Sequence, residues 1–349
     1  MGVVVGMLRT VRGDVPVERV GHIQPHEHVL CDLSGTSRLP GATVQSSVEE
    51  IRLDNYYETR RHHSRFDLVL DSVDDAAAEL ASYAAQGGSA VVDATSIGLD
   101  RRPEGLLEVS ERSGVHVVMG CGHYCEGYYA SDPAVSPAGR SRQDLAEEMR
   151  RDVVEGVGER RIRAGVIGEI GLSWPVRPAE RKVLEAAADA QRATGAGLLV
   201  HPGRDPAAPL DAMSIVRAAG GDCSRVIMSH LDRTLFDLDS MLRLADTGCY
   251  LEFDLFGQES SYYPLAPIDM PNDATRVDWL VRLVRAGLRR RLLVAQDLCS
   301  KTHLQRWGGE GYGHILRNVL PLMRRKGMDE DTIADLTVHN PRAALEIPA

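Results

Sequence analysis

The run Val20-Gly-His-Ile-Gln-Pro-His-Glu-His-Val29 reads as a strand, with His26 and His28 two residues apart near its carboxyl end. Side chains at i and i+2 of a strand project to the same face, so the two imidazoles are expected to point together. Seven further short runs rich in Val and Ile follow: Ser89–Thr95, Val115–Cys121, Ala164–Ile170, Gly197–His201, Arg225–His230, Gly248–Asp254 and Arg291–Asp297. Most are apolar on both faces, as buried parallel strands are.

Amphipathic stretches of helical period separate these runs. Ser72-Val-Asp-Asp75 has the form of a capping box, and Val73, Ala76, Leu80 and Tyr83 behind it share one helical face. Ser141-Arg-Gln-Asp144 opens a second helix carrying Leu145, Met149 and Val153. Pro178 suits the first turn of a third, with Val183, Leu184 and Ala187. Alternation of strand and helix without a long linker predicts one domain spanning residues 1–349. Eight such units in about 300 residues predict an α/β fold of the (β/α)8 TIM-barrel type. An open doubly wound sheet is the competing layout, but no G-x-G-x-x-G follows an early strand.

Residues 1–19 read as an N-terminal extension. Three long connections leave the carboxyl ends of strands. They span residues 33–71, residues 255–277 with Tyr262-Tyr263-Pro264, and residues 298–313 with Trp307-Gly-Gly-Glu-Gly-Tyr-Gly313. Barrel active sites are built at those ends, and long loops in a compact domain serve as lids or binding loops.

Composition narrows the class of function. With 43% hydrophobic and 26% charged residues among 349, the chain is an ordinary globular one. A net charge of −10 argues against a nucleic-acid partner. No apolar run approaches the roughly 20 residues that span a bilayer. Arg9, Arg12, Asp14, Glu18 and Arg19 interrupt what would be the core of a signal peptide. Six cysteines do not make a disulfide scaffold. The expectation is a cytoplasmic protein, with no membrane partner, that acts on a small molecule.

The ends of the strands carry the chemistry. Beside His26 and His28, the fourth strand holds Glu169 in Gly168-Glu-Ile-Gly171. The fifth ends at His201, the sixth at His230 and the eighth at Asp297. Four His, one Glu and one Asp are a nitrogen and oxygen set suited to Zn²⁺ or a similar divalent ion. Six ligands exceed one open catalytic zinc and match two ions sharing a carboxylate. Each residue has an ordinary structural role available, as a strand-end cap or a satisfied core group. Together, however, those roles would demand several costly polar burials in one place. The remaining histidines fall outside the pattern: His62-His63 read as solvated, and His303 and His314 as surface residues, with a substrate contact as their alternative. Cys121 and Cys125 lack the second pair a zinc ribbon needs.

These residues resemble the phosphotriesterase family of the amidohydrolase superfamily. The likeness extends to Gln24-Pro-His-Glu-His28, Gly168-Glu-Ile-Gly-Leu-Ser-Trp-Pro175, His201-Pro-Gly-Arg204, Ser229-His-Leu-Asp-Arg-Thr234, Asp254-Leu-Phe-Gly257, Ile268-Asp-Met-Pro271 and Gly309-Glu-Gly-Tyr-Gly-His-Ile315. Those stretches look like the phosphotriesterase-related branch, over essentially the whole chain. The resemblance implies that His26, His28 and Asp297 hold a buried metal, that His201 and His230 hold an exposed one, and that Glu169 bridges them. Organophosphate-hydrolysing members carry a carboxylated lysine at the bridge, so Glu169 weakens any expectation of phosphotriester hydrolysis. Gln296 is a second departure, standing where close relatives are expected to have His.

The implied cofactors are two divalent ions, Zn²⁺ first, with Mn²⁺ or Co²⁺ as alternatives. The implied reaction is attack of the bridging hydroxide on a carbonyl. Asp297 would act as proton acceptor and Tyr124 as donor to the carbonyl oxygen or the hydroxide. Arg204 and Arg233 are candidates to clamp an anionic substrate, or else to neutralise Glu169 or Asp232. The first expected activity is an amidohydrolase on small N-acyl amides of the N-acetyltaurine kind. The second is a lactonase or carboxylesterase with promiscuous phosphotriesterase activity. A metal-loaded binding protein without turnover is the third. The resemblance also leaves room for a homodimer.

Overall fold

Each of the eight apolar runs is a strand in the computed structural model, which describes residues 6–39, 41–45, 48–129, 135–260, 263 and 265–347. The strands are β1 (His22–Glu27), β2 (Gly88–Asp93), β3 (His116–Cys121), β4 (Val166–Gly171), β5 (Gly197–His201), β6 (Val226–Met228), β7 (Tyr250–Phe253) and β8 (Leu292–Val294). They pair in parallel and in sequence order as one sheet. Two backbone bonds close the ring between its edges, Asp297 N to His26 O and His28 N to Leu298 O, both 3.1 Å. The result is the expected TIM barrel in a single domain.

Strand alternation builds two cores. Ile23, Ala90, Val92, Val118, Val166, Leu199, Ile227 and Leu293 fill the barrel interior. Val91, Val117, Met119, Ile167, Leu198 and Val200 face outward against the helices. Both faces are therefore apolar, which is why the runs carry no polar alternation.

The helices start where capping residues place them. Ser72 Oγ accepts from Asp75 N at 3.1 Å at the head of Val73–Ala85, and Ser141 Oγ accepts from Asp144 N at 3.1 Å before Arg142–Val154. Pro178 occupies the first turn of Pro178–Thr194. An N-cap serine contributes about 1 kcal/mol. Ser72→Ala is expected to lower stability by that amount, read as a shift of the urea midpoint at unchanged slope.

Three boundaries differ from the sequence reading. The stretch read as an extension is structural: Met7–Thr10 pairs with Gly13–Pro16 and with Glu346–Ile347, and Leu8 joins Val20, Ala344 and Leu345 in the inner core. Residues 33–71 contain a helix, Tyr56–His62, and a strand, Val69–Leu70, paired with Cys31–Asp32. The helix Asp273–Arg285 begins inside the span read as the 255–277 loop. Apolar pairing with a distant strand leaves no local signal, so such segments look like loops in sequence.

Candidate metal centre

The six candidate ligands converge at the carboxyl end of the barrel. His26 lies in β1, Glu169 in β4 and His201 at the end of β5, while His28, His230 and Asp297 sit just beyond β1, β6 and β8. His28 Nε2 is 3.3 Å from both Glu169 Oε1 and Asp297 Oδ1. His26 Nε2 is 3.6 Å from Glu169 Oε2 and 3.7 Å from Asp297 Oδ1. His201 Nδ1 lies 2.8 Å from Glu169 Oε2, and His230 Nε2 lies 3.5 Å from the same oxygen.

Two groups of donors able to surround a cation, His26-His28-Glu169 and Glu169-His201-His230, therefore share one carboxylate. The residues fit metal on an independent ground. His26 Nε2 is buried and has no hydrogen-bond partner, although it faces two carboxylates. A buried polar atom left open in this way is what a cation would satisfy.

A second ring of residues orients the imidazoles. His26 Nδ1 is 3.1 Å from Glu252 and 3.2 Å from Ser229 Oγ. His230 Nδ1 is 2.9 Å from Asp254 Oδ1, and His28 Nδ1 is 2.9 Å from Thr95 Oγ1. Asp254 also forms a donor group with His26 and His230. It sits on their Nδ1 sides, so it fixes the rings with Nε2 turned toward the cluster, where His230 Nε2 is 2.8 Å from His201 Nδ1.

Two of the strand-end residues adopt left-handed backbone conformations that side chains rarely take, His230 at φ 56° and Asp297 at φ 48°. Such a conformation costs about 1–3 kcal/mol unless its surroundings hold it. His230 N donates to both Asp254 oxygens, at 3.1 and 3.0 Å. Glu27 does the equivalent for Asp297. Its two oxygens accept from Gln296 N at 2.8 Å and Leu298 N at 2.9 Å, gripping the chain on both sides of the aspartate. The middle residue of His26-Glu27-His28 thus points away from its neighbours and braces the opposite edge of the ring.

Charge follows position. Burial alone would raise the Glu169 carboxyl, but His201, His230 and His28 hold it well below the usual carboxylate range. Burial likewise opposes ionisation of Asp297, and the imidazoles of His28, His230 and His26 bring it down to about 2. Burial works against a charge on His26, yet Glu252, Asp254 and Glu169 push it up to about 10. Burial pushes the Glu27 carboxyl up to about 8 against its two amide donors.

The other sequence candidates lie beside this cluster. Tyr124 is buried, with its hydroxyl 3.2 Å from His201 Nδ1. Arg233 Nη2 is 3.1 Å from His201 Nε2. Arg204 Nε donates to Tyr263 Oη at 2.7 Å, while Tyr262 and Pro264 lie outside the described residues. Asp232 is neutralised by Arg276 at 2.7 Å rather than by either of these arginines. Gln296 donates to Gly311 O at 3.0 Å, so it ties the last loop to the end of β8.

Two expectations are corrected. His62 and His63 are not free in solvent: both line the cavity, and His63 Nδ1 is 2.7 Å from Asp67. His303 and His314 are buried rather than on the surface. His303 lines the cavity, where burial pushes its imidazole down to about 4. His314 Nε2 is 2.6 Å from Asp273. Glu252, Asp254 and Ser229 went unassigned in the sequence reading, although Asp254 ends the one late strand run that carried no ligand.

The cluster opens into a cavity of about 630 Å³. Arg60, from the first long loop, closes one side. It donates to Gly257 O at 3.0 Å and to Glu310 at 2.7 Å, joining the three long loops through one guanidinium. Arg60→Ala is expected to loosen this wall and raise KM for substrate about tenfold with a smaller change in kcat, as steady-state kinetics would show.

Comparison with known proteins agrees with this geometry. The model of the phosphotriesterase family matches residues 6–345. The chain is 38% identical over 343 residues to the N-acetyltaurine hydrolase of Tetraodon nigroviridis, covering 97% of each chain. It is 35% identical over 348 residues to the phosphotriesterase-related protein of Nematostella vectensis, covering 97% of this chain and 98% of that one. Among solved structures, a resiniferatoxin-binding protein from Rhodobacter sphaeroides superposes with a TM-score of 0.89 at 31% identity, over 97% of this chain and 95% of that one.

Proposed function

The chain belongs to the phosphotriesterase family, and on that premise we propose that it is a binuclear metal-dependent amidohydrolase cleaving small N-acyl amides, with N-acetyltaurine as the reference substrate. The observation that carries the metal reading is the Glu169 carboxylate shared by two donor groups. The amide reading is supported by the N-acetyltaurine hydrolases among the relatives.

His26, His28 and Asp297 would hold one ion, His201 and His230 the other, and Glu169 both. Nitrogen and oxygen donors favour Zn²⁺, and Mn²⁺ or Co²⁺ would also be accepted. Two divalent ions supply an acidified water and a polarised carbonyl. Tyr124 directs its hydroxyl at the carbonyl oxygen, and its buried phenol stays protonated because burial pushes its pKa well above the ordinary value. Asp297 takes the proton of the attacking water and passes it to the leaving nitrogen. A cytoplasmic setting and a homodimer are part of the same reading. Six free cysteines accord with the first, and no helix among the described residues is long and apolar enough to cross a membrane.

The test is metal content per chain followed by hydrolysis with and without a chelator. Near two ions per chain and chelator-sensitive cleavage of N-acetyltaurine are expected, and Glu169→Ala should lower the metal content. Cleavage of a lactone without cleavage of the amide would transfer the site to the lactonase reading. Metal binding is expected to release protons. His26 is raised to about 10 and must give up its proton to bind, so apparent affinity rises with pH through the neutral range. Calorimetry in two buffers of different ionisation enthalpy measures the protons released.

A further inference from the structure

Two guanidiniums face the cavity beside the cluster without a counter-ion. Arg233 is only 4% exposed, and its Nη1 atom is buried with no hydrogen-bond partner. Arg204 lines the same cavity, held by Tyr263 Oη at 2.7 Å with that ring 5.8 Å from the guanidinium carbon. Among the described residues neither has a carboxylate at ion-pair distance. Three arginines elsewhere in the fold, comparably buried among carboxylates, do have one. Arg276 pairs with Asp232 and Asp273, Arg101 with Asp152, and Arg60 with Glu310. A buried charge left without an anion costs on the order of several kcal/mol. This chain places one such charge, Arg233 just beyond β6, next to the half-buried Arg204 just beyond β5, at the edge of the reaction centre.

We propose that Arg233 and Arg204 together form a receptor for an ionised oxyacid on the substrate, so that the protein acts on anionic N-acyl amides and discriminates against neutral ones. This rests on the hydrolase reading above and adds to it the residues that read the charge of the substrate and the discrimination they impose. Arg233 is the main contact because it is buried and has an open nitrogen. Arg204 is the second, with Tyr263 fixing its plane. A sulfonate and a carboxylate share the chemistry required, since both are ionised at neutral pH and accept charge-assisted hydrogen bonds from a guanidinium. Where a site is built to bind a polar group, its absence from the ligand leaves the site's own buried groups unpaired, which rejects the analogue strongly.

The metal-loaded full chain would be assayed with N-acetyltaurine, N-acetyl-β-alanine and the neutral N-acetylethanolamine. The wild type is expected to prefer at least one acid over the neutral amide by at least about 100-fold in kcat/KM. Which acid is preferred assigns the receptor to sulfonate or carboxylate. Arg233→Gln should reduce that preference at least tenfold, mainly through KM. Arg204→Gln should reduce it less, and Arg233→Lys should recover part of it. Equal turnover of acid and neutral amide by the wild type would overturn the proposal, as would an Arg233→Gln preference equal to that of the wild type. If no amide is cleaved, the amide reading fails by itself, and the receptor is then read by calorimetry of ethanesulfonate and propionate with the metal-loaded protein. Binding of either that Arg233→Gln weakens at least tenfold supports the receptor. Absence of binding, or binding unchanged in the variant, removes it.

Discussion

Asp297→Asn is expected to fold, to keep a cooperative melt, and to lose turnover by about 10²–10⁴-fold, the usual contribution of a positioned proton acceptor. That range corresponds to about 3–5 kcal/mol of transition-state stabilisation. Asp297 is singled out by placement. Its side chain is 17% exposed while those of His26, His28 and Glu169 are 2% or less, so of these four it is the one most open to the cavity. Its pKa near 2 keeps it ionised at neutral pH and able to accept a proton. The amide of asparagine has similar shape and can still offer an oxygen to a cation, but it cannot take the proton. The measurement is kcat alongside metal content and thermal melting. Turnover within tenfold of wild type would remove the proton-acceptor role.

Arg276→Ala is expected to lower stability by about 3–5 kcal/mol, the cost of stranding a buried ionic partner. The Arg276 side chain is fully buried. It donates to Asp232 at 2.7 Å, to Asp273 at 2.9 Å and to Gln258 O at 2.9 Å. Asp232 is fully buried too, and its other oxygen already has no partner. Burial raises the Asp232 carboxyl despite the arginine, and without the arginine it rises further. The sign of the pH effect follows. A carboxyl with a folded pKa above its unfolded value binds more protons in the folded state, so stability falls as pH rises. The defect of the variant should therefore be smaller near pH 5 than near pH 8. Urea midpoints of wild type and variant at both pH values measure it; a defect below about 1 kcal/mol at pH 8 would contradict the structural role.

The barrel and its six converging residues were legible in the sequence for a common reason. Strands buried on both faces show as apolar runs, and a titratable residue at the end of such a run stands out. His201 and Asp297 are visible in this way. Glu27 also stood in plain view between two histidines, but its grip on Gln296 and Leu298 spans more than 260 residues of sequence and has no periodic trace. The same holds for Arg60, which joins three loops, and for His314 against Asp273. His303 looked superficial because its loop is polar, whereas its surroundings come from other loops. Pairing between distant segments hid the role of Met7–Pro16 in the same manner.

That pairing has a consequence for how the chain could be rewired. Met7–Thr10 lies between Gly13–Pro16 and Glu346–Ile347 on one small sheet, so the two extremes of the described chain are stitched side by side. The order of strands around the ring is cyclic, and no strand is first in a topological sense. A circular permutant that fuses these neighbouring extremes and reopens the polypeptide in the exposed turn around Glu159 and Arg160 would preserve every strand pairing and every residue of the cluster.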